Sequence, residues 1–366
     1  MTRLSRSRRY GTDVTTLDLH QDAPTLAATL VDVYSESGHE TELADLVEQA
    51  LLSLSHLDVT RDGDAIVART ENGRRERVVL AGHLDTVPPG DNIPSRREGD
   101  VLYGLGSADM KSGIAVMLRL AATIDSQSRD VTYVFYDGEE VEAERNGLLR
   151  LSRKAPELLR GDFAVLLEPT DAIVEGGCQG TMRIDVTVDG VRAHSARSWM
   201  GDNAIHAAAP VLELLRQYQP RSPHIDGLDY REGLNAVGIH AGVAGNVIPD
   251  SCVVTVNYRF APDRSEVEAE AHLREVFDGF AVSVADSAPG ARAGLEHRAA
   301  RSFVDAVGGQ PRAKFGWTDV AQFSQLGIPA VNFGPGDPNV AHTRGEWVSA
   351  AQVLDCEERL ARWLVG

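Results

Sequence analysis

Three short, largely apolar runs in this chain each lead into a residue able to bind a metal ion. Residues 77–80 (RVVL) lead into His83, residues 131–136 (VTYVFY) into the pair Glu139-Glu140, and residues 163–167 (FAVLL) into Glu168. Unbroken apolar runs of this length mark strands buried on both faces, and such strands belong to parallel sheets covered by helices. In open α/β sheets, ligands gather beyond the carboxyl ends of the strands. Three separate strands are therefore expected to aim polar donors at one edge of a sheet.

Five motifs carry the donors in chain order. They are Gly82-His83-Leu84-Asp85, Ser107-Ala108-Asp109-Met110-Lys111, Asp137-Gly138-Glu139-Glu140, Leu167-Glu168-Pro169-Thr170 and Ala341-His342-Thr343-Arg344-Gly345-Glu346. Taken singly, each has an ordinary reading. His83 or Asp109 is a loop residue, Glu139-Glu140 a solvated turn, Glu168 a strand end before proline, and Asp109 with Lys111 a surface pair. Their shared placement points instead to metal binding. Imidazole nitrogen and carboxylate oxygen are donors that zinc accepts at about 2.0–2.2 Å. The set suffices for two ions, and two ions about 3.5–4 Å apart can clamp and hydrolyse an amide. Two glycine-rich stretches do not complete nucleotide motifs. Asp109 stands where a dinucleotide fingerprint starting at Gly104 needs its third glycine, and Met110 replaces the glycine before Lys111-Ser112 in a phosphate loop.

The pattern changes near residue 181. Residues 41–53 carry apolar side chains at helical spacing, with a cap near Ser37 or Thr41, and 112–124 and 147–160 are further predicted helices. The helix at 112 starts just after Asp109, so its positive end is expected to face the metals. Residues 182–188 then alternate as a half-buried strand does. A helix over 203–218, strands over 234–243 and 252–260, a helix over 265–280 and a strand over 281–285 complete a β-α-β-β-α-β order, the ferredoxin-like arrangement. Residues 289–295 form a small-residue linker. Because His342 is needed at the metals, the chain must return to the first domain. The expected division is a mixed, mostly parallel α/β catalytic domain over 1–180 and 292–366, with an inserted α+β domain over 181–291.

Charge narrows the partners. Lys and Arg number 36 against 54 Asp and Glu, a net charge of −18. That argues against nucleic acid and anionic membrane as partners, which need basic surfaces. Cys178, Cys252 and Cys356 form no CxxC spacing, so a disulfide framework is not expected and a cytoplasmic setting fits. Cys178 reads as a packing residue. The N-terminus carries Arg3, Arg6, Arg8 and Arg9 with no apolar segment behind them, which does not make a signal peptide.

In order and residue type, the five motifs resemble the co-catalytic dizinc metallopeptidase family, which includes carboxypeptidases, aminoacylases and other N-acyl-amino-acid deacylases. The resemblance runs from about residue 26 to the end. It implies two zinc ions per subunit, with cobalt able to substitute, held by His83 and Glu168 on one side and Glu140 and His342 on the other. Asp109 bridges them, Asp85 orients His83, and Glu139 is the general base. Two stretches resemble the actinobacterial desuccinylase branch of the family: Arg192-Ala193-His194-Ser195-Ala196-Arg197, and Glu168-Pro169-Thr170 running on to Gly176-Gly177-Cys178-Gln179-Gly180-Thr181. That branch hydrolyses a small anionic N-succinyl amino acid for diaminopimelate and lysine synthesis. His194 then donates to the oxyanion across a homodimer interface, and Asn246, Arg259, Arg197, Gly316 and Trp317 border the substrate. Another deacylase, a dipeptidase or carboxypeptidase, and a non-catalytic metal-binding homologue are the alternatives. The chain departs from the better-known proteobacterial form at Cys178-Gln179-Gly180-Thr181 and Gly316-Trp317-Thr318-Asp319, which flank the pocket. It also has Gly345 where Asn is usual.

Overall fold

A computed structural model describes residues 14–124 and 126–366. The arginine-rich stretch 1–9 lies outside the described residues. The chain divides into two compact units. One comprises the chain up to Gly176 with Ala293–Arg312 and Gln322–Gly366, and the other Gly177–Arg292 with Ala313–Ala321.

The first unit is built on an eight-stranded sheet. Its strands run, in spatial order, Leu57–Asp62, Ala65–Thr70, Asp130–Tyr136, Arg77–His83, Phe163–Leu166, Ala330–Asn332, Glu175–Gly176 and Arg312–Ala313. The four strands at its centre are parallel: Arg77–His83 pairs with both Asp130–Tyr136 and Phe163–Leu166, and Phe163–Leu166 pairs with Ala330–Asn332. All seven residues of Asp130–Tyr136 are buried, as are the last six of Arg77–His83, so both strand faces are covered. The helix Lys111–Thr123 packs against Ala23–Asp32, Ala350–Val365 and the strand Arg77–His83. A Cβ at Gly113 would lie 2.4 Å from the Leu167 carbonyl oxygen, so only glycine lets this helix approach the strand end beside Glu168.

The second unit contains a four-stranded antiparallel sheet in the order Gly233–Ala241, Ser251–Phe260, Gly180–Asp189, Ala281–Ala288. Helices Ala204–Ala207, Ala209–Gln217 and Glu266–Val276 complete the ferredoxin-like order. Burial alternates strictly along Ser251–Phe260, as it must when one face meets a core of Ile184, Val186, Val254, Val256, Leu273 and Phe277.

Three local readings change and one, the cap of Thr41–Leu52, is refined. The helix expected over 203–218 is two helices meeting at Ala208, because Pro210 has no N–H and can serve only the first turn of a new helix. The helix expected over 147–160 stops at Lys154, just before Pro156 opens a 3₁₀ turn. The helix Thr41–Leu52 starts at Thr41, one of the two expected places, but without a side-chain cap hydrogen bond. Its N-cap position is Glu40, while the Ser37 hydroxyl donates to Asp85 at 2.7 Å. Residues 313–321, read from the sequence as part of the first domain, belong to the second unit. There the Trp317 indole donates to the Pro289 carbonyl at 3.1 Å, and the Thr318 carbonyl faces the Cys178 thiol at 3.6 Å.

Candidate functional site

The parallel strands of the first unit deliver their donors as the apolar runs imply. His83 is the last residue of its strand and is 1% exposed. Its Nδ1 lies 3.0 Å from the Asp85 backbone carbonyl, which can only accept, so Nδ1 carries the hydrogen and Nε2 is left for the site. The Asp85 carboxylate, fully buried, is 3.5 Å from the same nitrogen. Its closer contacts hold the next strand's turn: Oδ1 accepts the Glu139 amide and Oδ2 the Glu140 amide, each at 3.0 Å. Gly138, at φ +68°, makes that turn possible after Asp137.

Two donor groups share one carboxylate. Ligand atoms of His83, Asp109 and Glu168 lie within 4.8 Å of one another, and so do those of Asp109, Glu140 and His342. A third overlapping group joins His83 to Glu139 and Glu140. His83 Nε2 is 3.1 Å from Asp109 Oδ1, and His342 Nε2 is 2.7 Å from Glu140 Oε1 and 3.5 Å from Asp109 Oδ2. Ligands about 2.1 Å from a tetrahedral ion are ~3.4 Å apart, so these spacings suit a shared cation. His342 holds its place with a left-handed backbone, φ +61°, a conformation that persists at a non-glycine residue when its surroundings fix it.

The electrostatics also call for cations. Five carboxylates converge on two imidazoles. Burial would depress the His83 imidazole pKa, but Asp109 and Asp85 overcome that and raise it well above the ordinary range. Asp109 and Glu140 push His342 up to about 10. Asp109 is held well below the usual carboxylate range; burial opposes this, and hydrogen bonds from His342 and His83 win. Asp85 is also lowered, against its burial, by His83, Ser37 and the Glu140 amide. A proton on each imidazole thus does what a divalent cation does when bound: it neutralises facing carboxylates. The donor set fits divalent metal.

The sequence reading assigned no role to two buried residues beside the centre. Glu346 is 1% exposed, and its Oε1 accepts the amides of Ala108 at 2.9 Å and Asp109 at 3.0 Å. Lys111 is not part of a surface pair but is 1% exposed, its Nζ donating to the Val33 carbonyl at 2.6 Å. No local signal marks either contact, since Glu346 and Ala108 are 238 positions apart.

The remaining predicted site residues lie in the second unit. His194 is exposed on a two-residue strand, paired with Val247. Its Nδ1 accepts the Ala196 amide at 3.1 Å, which leaves the hydrogen of the neutral ring on Nε2. The Asn246 carbonyl accepts the Ser195 amide at 2.9 Å, so Asn246 braces the His194 turn through its backbone. Arg197 and Gly316 are exposed. Arg259 is half-buried on Ser251–Phe260, and burial lowers its pKa. Trp317 is tied to Pro289 as described above. Cys178, Cys252 and Cys356 are all buried free thiols, and burial pushes Cys178 up to about 11, in keeping with packing.

Comparison with known proteins agrees with this geometry. Residues 79–365 match the peptidase family M20/M25/M40. A Mycobacterium tuberculosis protein, provisionally named a succinyl-diaminopimelate desuccinylase, is 54% identical over 96% of this chain and 100% of its own. The succinyl-diaminopimelate desuccinylase of Corynebacterium glutamicum is 47% identical over 95% of this chain and 97% of its own. A tripeptidase from Staphylococcus aureus shares the fold, with a TM-score of 0.77 at 21% identity over 95% of this chain and 98% of its own. The chain belongs to peptidase family M20/M25/M40. It is a hydrolase of amide bonds whose family takes divalent metal. Among the described residues, no helix is long and apolar enough to cross a membrane.

Proposed function

We propose that this chain hydrolyses N-succinyl-LL-diaminopimelate to succinate and LL-diaminopimelate, a step of diaminopimelate and lysine biosynthesis, in the cytoplasm. The observation that carries the chemistry is the pair of donor groups sharing Asp109, with Glu139 on the turn beside them. The names of the two bacterial relatives support the substrate. His83, Asp109 and Glu168 would hold one zinc ion, and Asp109, Glu140 and His342 the other. The chemistry that two zinc ions supply when bound is polarisation of the scissile carbonyl and acidification of the attacking water.

The protein's own groups do the rest. Glu139 takes the proton from the water that attacks the succinyl carbonyl and delivers it to the leaving nitrogen as the C–N bond breaks. Asp85 fixes both the His83 tautomer and the Glu139-Glu140 turn. His194 presents its Nε2 hydrogen to the developing oxyanion in a homodimer, with the inserted domain serving as lid and dimerisation module. Arg259, Arg197 and Asn246, with Gly316 and Trp317 at the pocket wall, meet the substrate carboxylates, which guanidinium pairs bidentately. A net charge of −18 makes such local positive groups necessary, and it argues against nucleic acid or anionic membrane as a partner.

The test is zinc-loaded and cobalt-loaded protein against N-succinyl-LL-diaminopimelate, N-acetylornithine and a set of dipeptides. The succinyl substrate should turn over with the highest kcat/KM. A preference for an acetylated or dipeptide substrate would move the reading to another deacylase or a peptidase, and no hydrolysis by metal-loaded protein would remove catalysis altogether.

A further inference from the structure

We infer that Glu346 is a positioning residue of the metal centre: its carboxylate sets the backbone that carries Asp109 and thereby registers Asp109 against His342. This rests on the dinuclear reading above. Glu346 belongs to none of the donor groups, so its role is not ligation.

Four contacts tie this one residue to the segment bearing Asp109. Oε1 accepts the Ala108 and Asp109 amides, the Gly106 amide also bonds the carboxylate, and the Glu346 backbone carbonyl accepts the Gly104 amide at 3.1 Å. The other end of the clamp is the His342 loop. The Glu346 amide donates to the Thr343 carbonyl at 3.3 Å, and the Thr343 amide to Val340 at 3.3 Å. Glu346 thus joins two ligands of one donor group that are far apart in sequence.

Ordinary strand pairing does not account for this arrangement. The strand Trp347–Ser349 already pairs with Val101–Tyr103 immediately beyond the clamp. A side chain there needs no charge to hold two strands together, and burying a carboxylate costs several kcal/mol unless fixed donors replace water. Backbone amides at 2.9 and 3.0 Å are such donors. Burial still pushes the Glu346 carboxyl up to about 7 against these amides, and it lowers the ammonium of buried Lys111 to about 7 against the attraction of Glu346. Amides that converge on one oxygen fix the direction in which the next side chain, that of Asp109, leaves the backbone. Groups that orient ligands in this way typically account for 10–100-fold in metal affinity.

The experiment compares wild type, Glu346→Gln and Glu346→Ala by zinc and cobalt titration, by the cobalt absorption spectrum, and by amide hydrogen exchange at Ala108 and Asp109 without metal. Glutamine keeps a carbonyl oxygen for the Ala108 and Asp109 amides, and alanine keeps none. Glu346→Ala should lose 10–100-fold in affinity for at least one ion, change the cobalt spectrum, and exchange both amides faster. Glu346→Gln should stay within about fivefold of wild type, with the wild-type spectrum. A folded Glu346→Ala that binds both ions at wild-type affinity overturns the inference, and so does Glu346→Gln falling as far as alanine. Should alanine fail to fold, Glu346→Gln decides alone: near-wild-type affinity and spectrum support the clamp, and a tenfold loss or more overturns it. If wild type binds no metal, the dinuclear reading fails. The clamp is then judged by amide exchange in the metal-free variants, where unchanged protection at Ala108 and Asp109 overturns it.

Discussion

The two sheets of this protein solve the same packing problem differently, and each solution dictates where polar groups can stand. In the first unit the central strands are buried on both faces, down to the last residue of Arg77–His83. Such strands have no face to spare, so charged and metal-binding side chains are confined to strand ends, and parallel strands gather their carboxyl ends at one edge. In the second unit the strands alternate, with Val254 and Val256 inside and Val253 and Thr255 half-buried. Polar groups there are distributed over a face and over short connections such as the turn at His194. The first arrangement concentrates charge at a point, as metal binding requires. The second spreads adaptable contacts over a surface, as recognition of a substrate or of another subunit requires.

The largest effect should come from emptying the concentrated site. Chelation should abolish hydrolysis and zinc should restore it, and His83→Ala and His342→Ala should each lower bound metal by elemental analysis. Wild-type metal content and affinity in both variants would break the comparison at its base. Glu139→Ala comes next. Both ions should remain while turnover falls about 10²–10⁴-fold, the usual contribution of a general base, and near-normal rates would take Glu139 out of the mechanism.

His194→Ala tests the distributed unit. Metal content and KM should hold while kcat falls about 10²–10³-fold. Mixed dimers of His194→Ala with Glu139→Ala, verified with two tags, should regain activity if the histidine acts across an interface. The smallest effect belongs to the amino ends of the parallel strands, where the comparison predicts stability without chemistry. Buried Asp130 accepts from the Thr70 hydroxyl and from the amides of Asn72 and Arg74, at 2.8–2.9 Å. Burial opposes its ionisation, but these donors hold its pKa below the usual range. A depressed folded pKa means that the contribution is complete above the unfolded value, about 3.9, and is lost as pH falls through the folded one. Asp130→Asn should cost about 2 kcal/mol in urea unfolding at pH 7. Its penalty should shrink below pH ~3.9, with kcat unchanged throughout.

The sequence was most legible where physics is local. Apolar runs located His83, Glu139-Glu140 and Glu168 at one sheet edge, and alternation marked the second sheet. Pro210 and Pro156 also carried readable signals, since each forbids the continuous helix that apolar spacing suggests. The contacts of Glu346 with Ala108 and of Ser37 with Asp85 were not legible, because each depends on how distant segments meet. The same holds for residues 313–321, whose place is decided by the Trp317 and Thr318 contacts.

Asp85 grips the Glu139 and Glu140 amides with its two oxygens, and neither bond involves an ion. The placement of the Glu139-Glu140 backbone against Asp85 is therefore a property of the polypeptide. With Glu139 as the proposed base and Glu140 as the proposed ligand, exchange of one divalent ion for another would leave that backbone in place. Selection among ions then falls to imidazole and carboxylate chemistry and to whichever metal the cell supplies. A protein built in this way can keep its reaction while its metal economy changes.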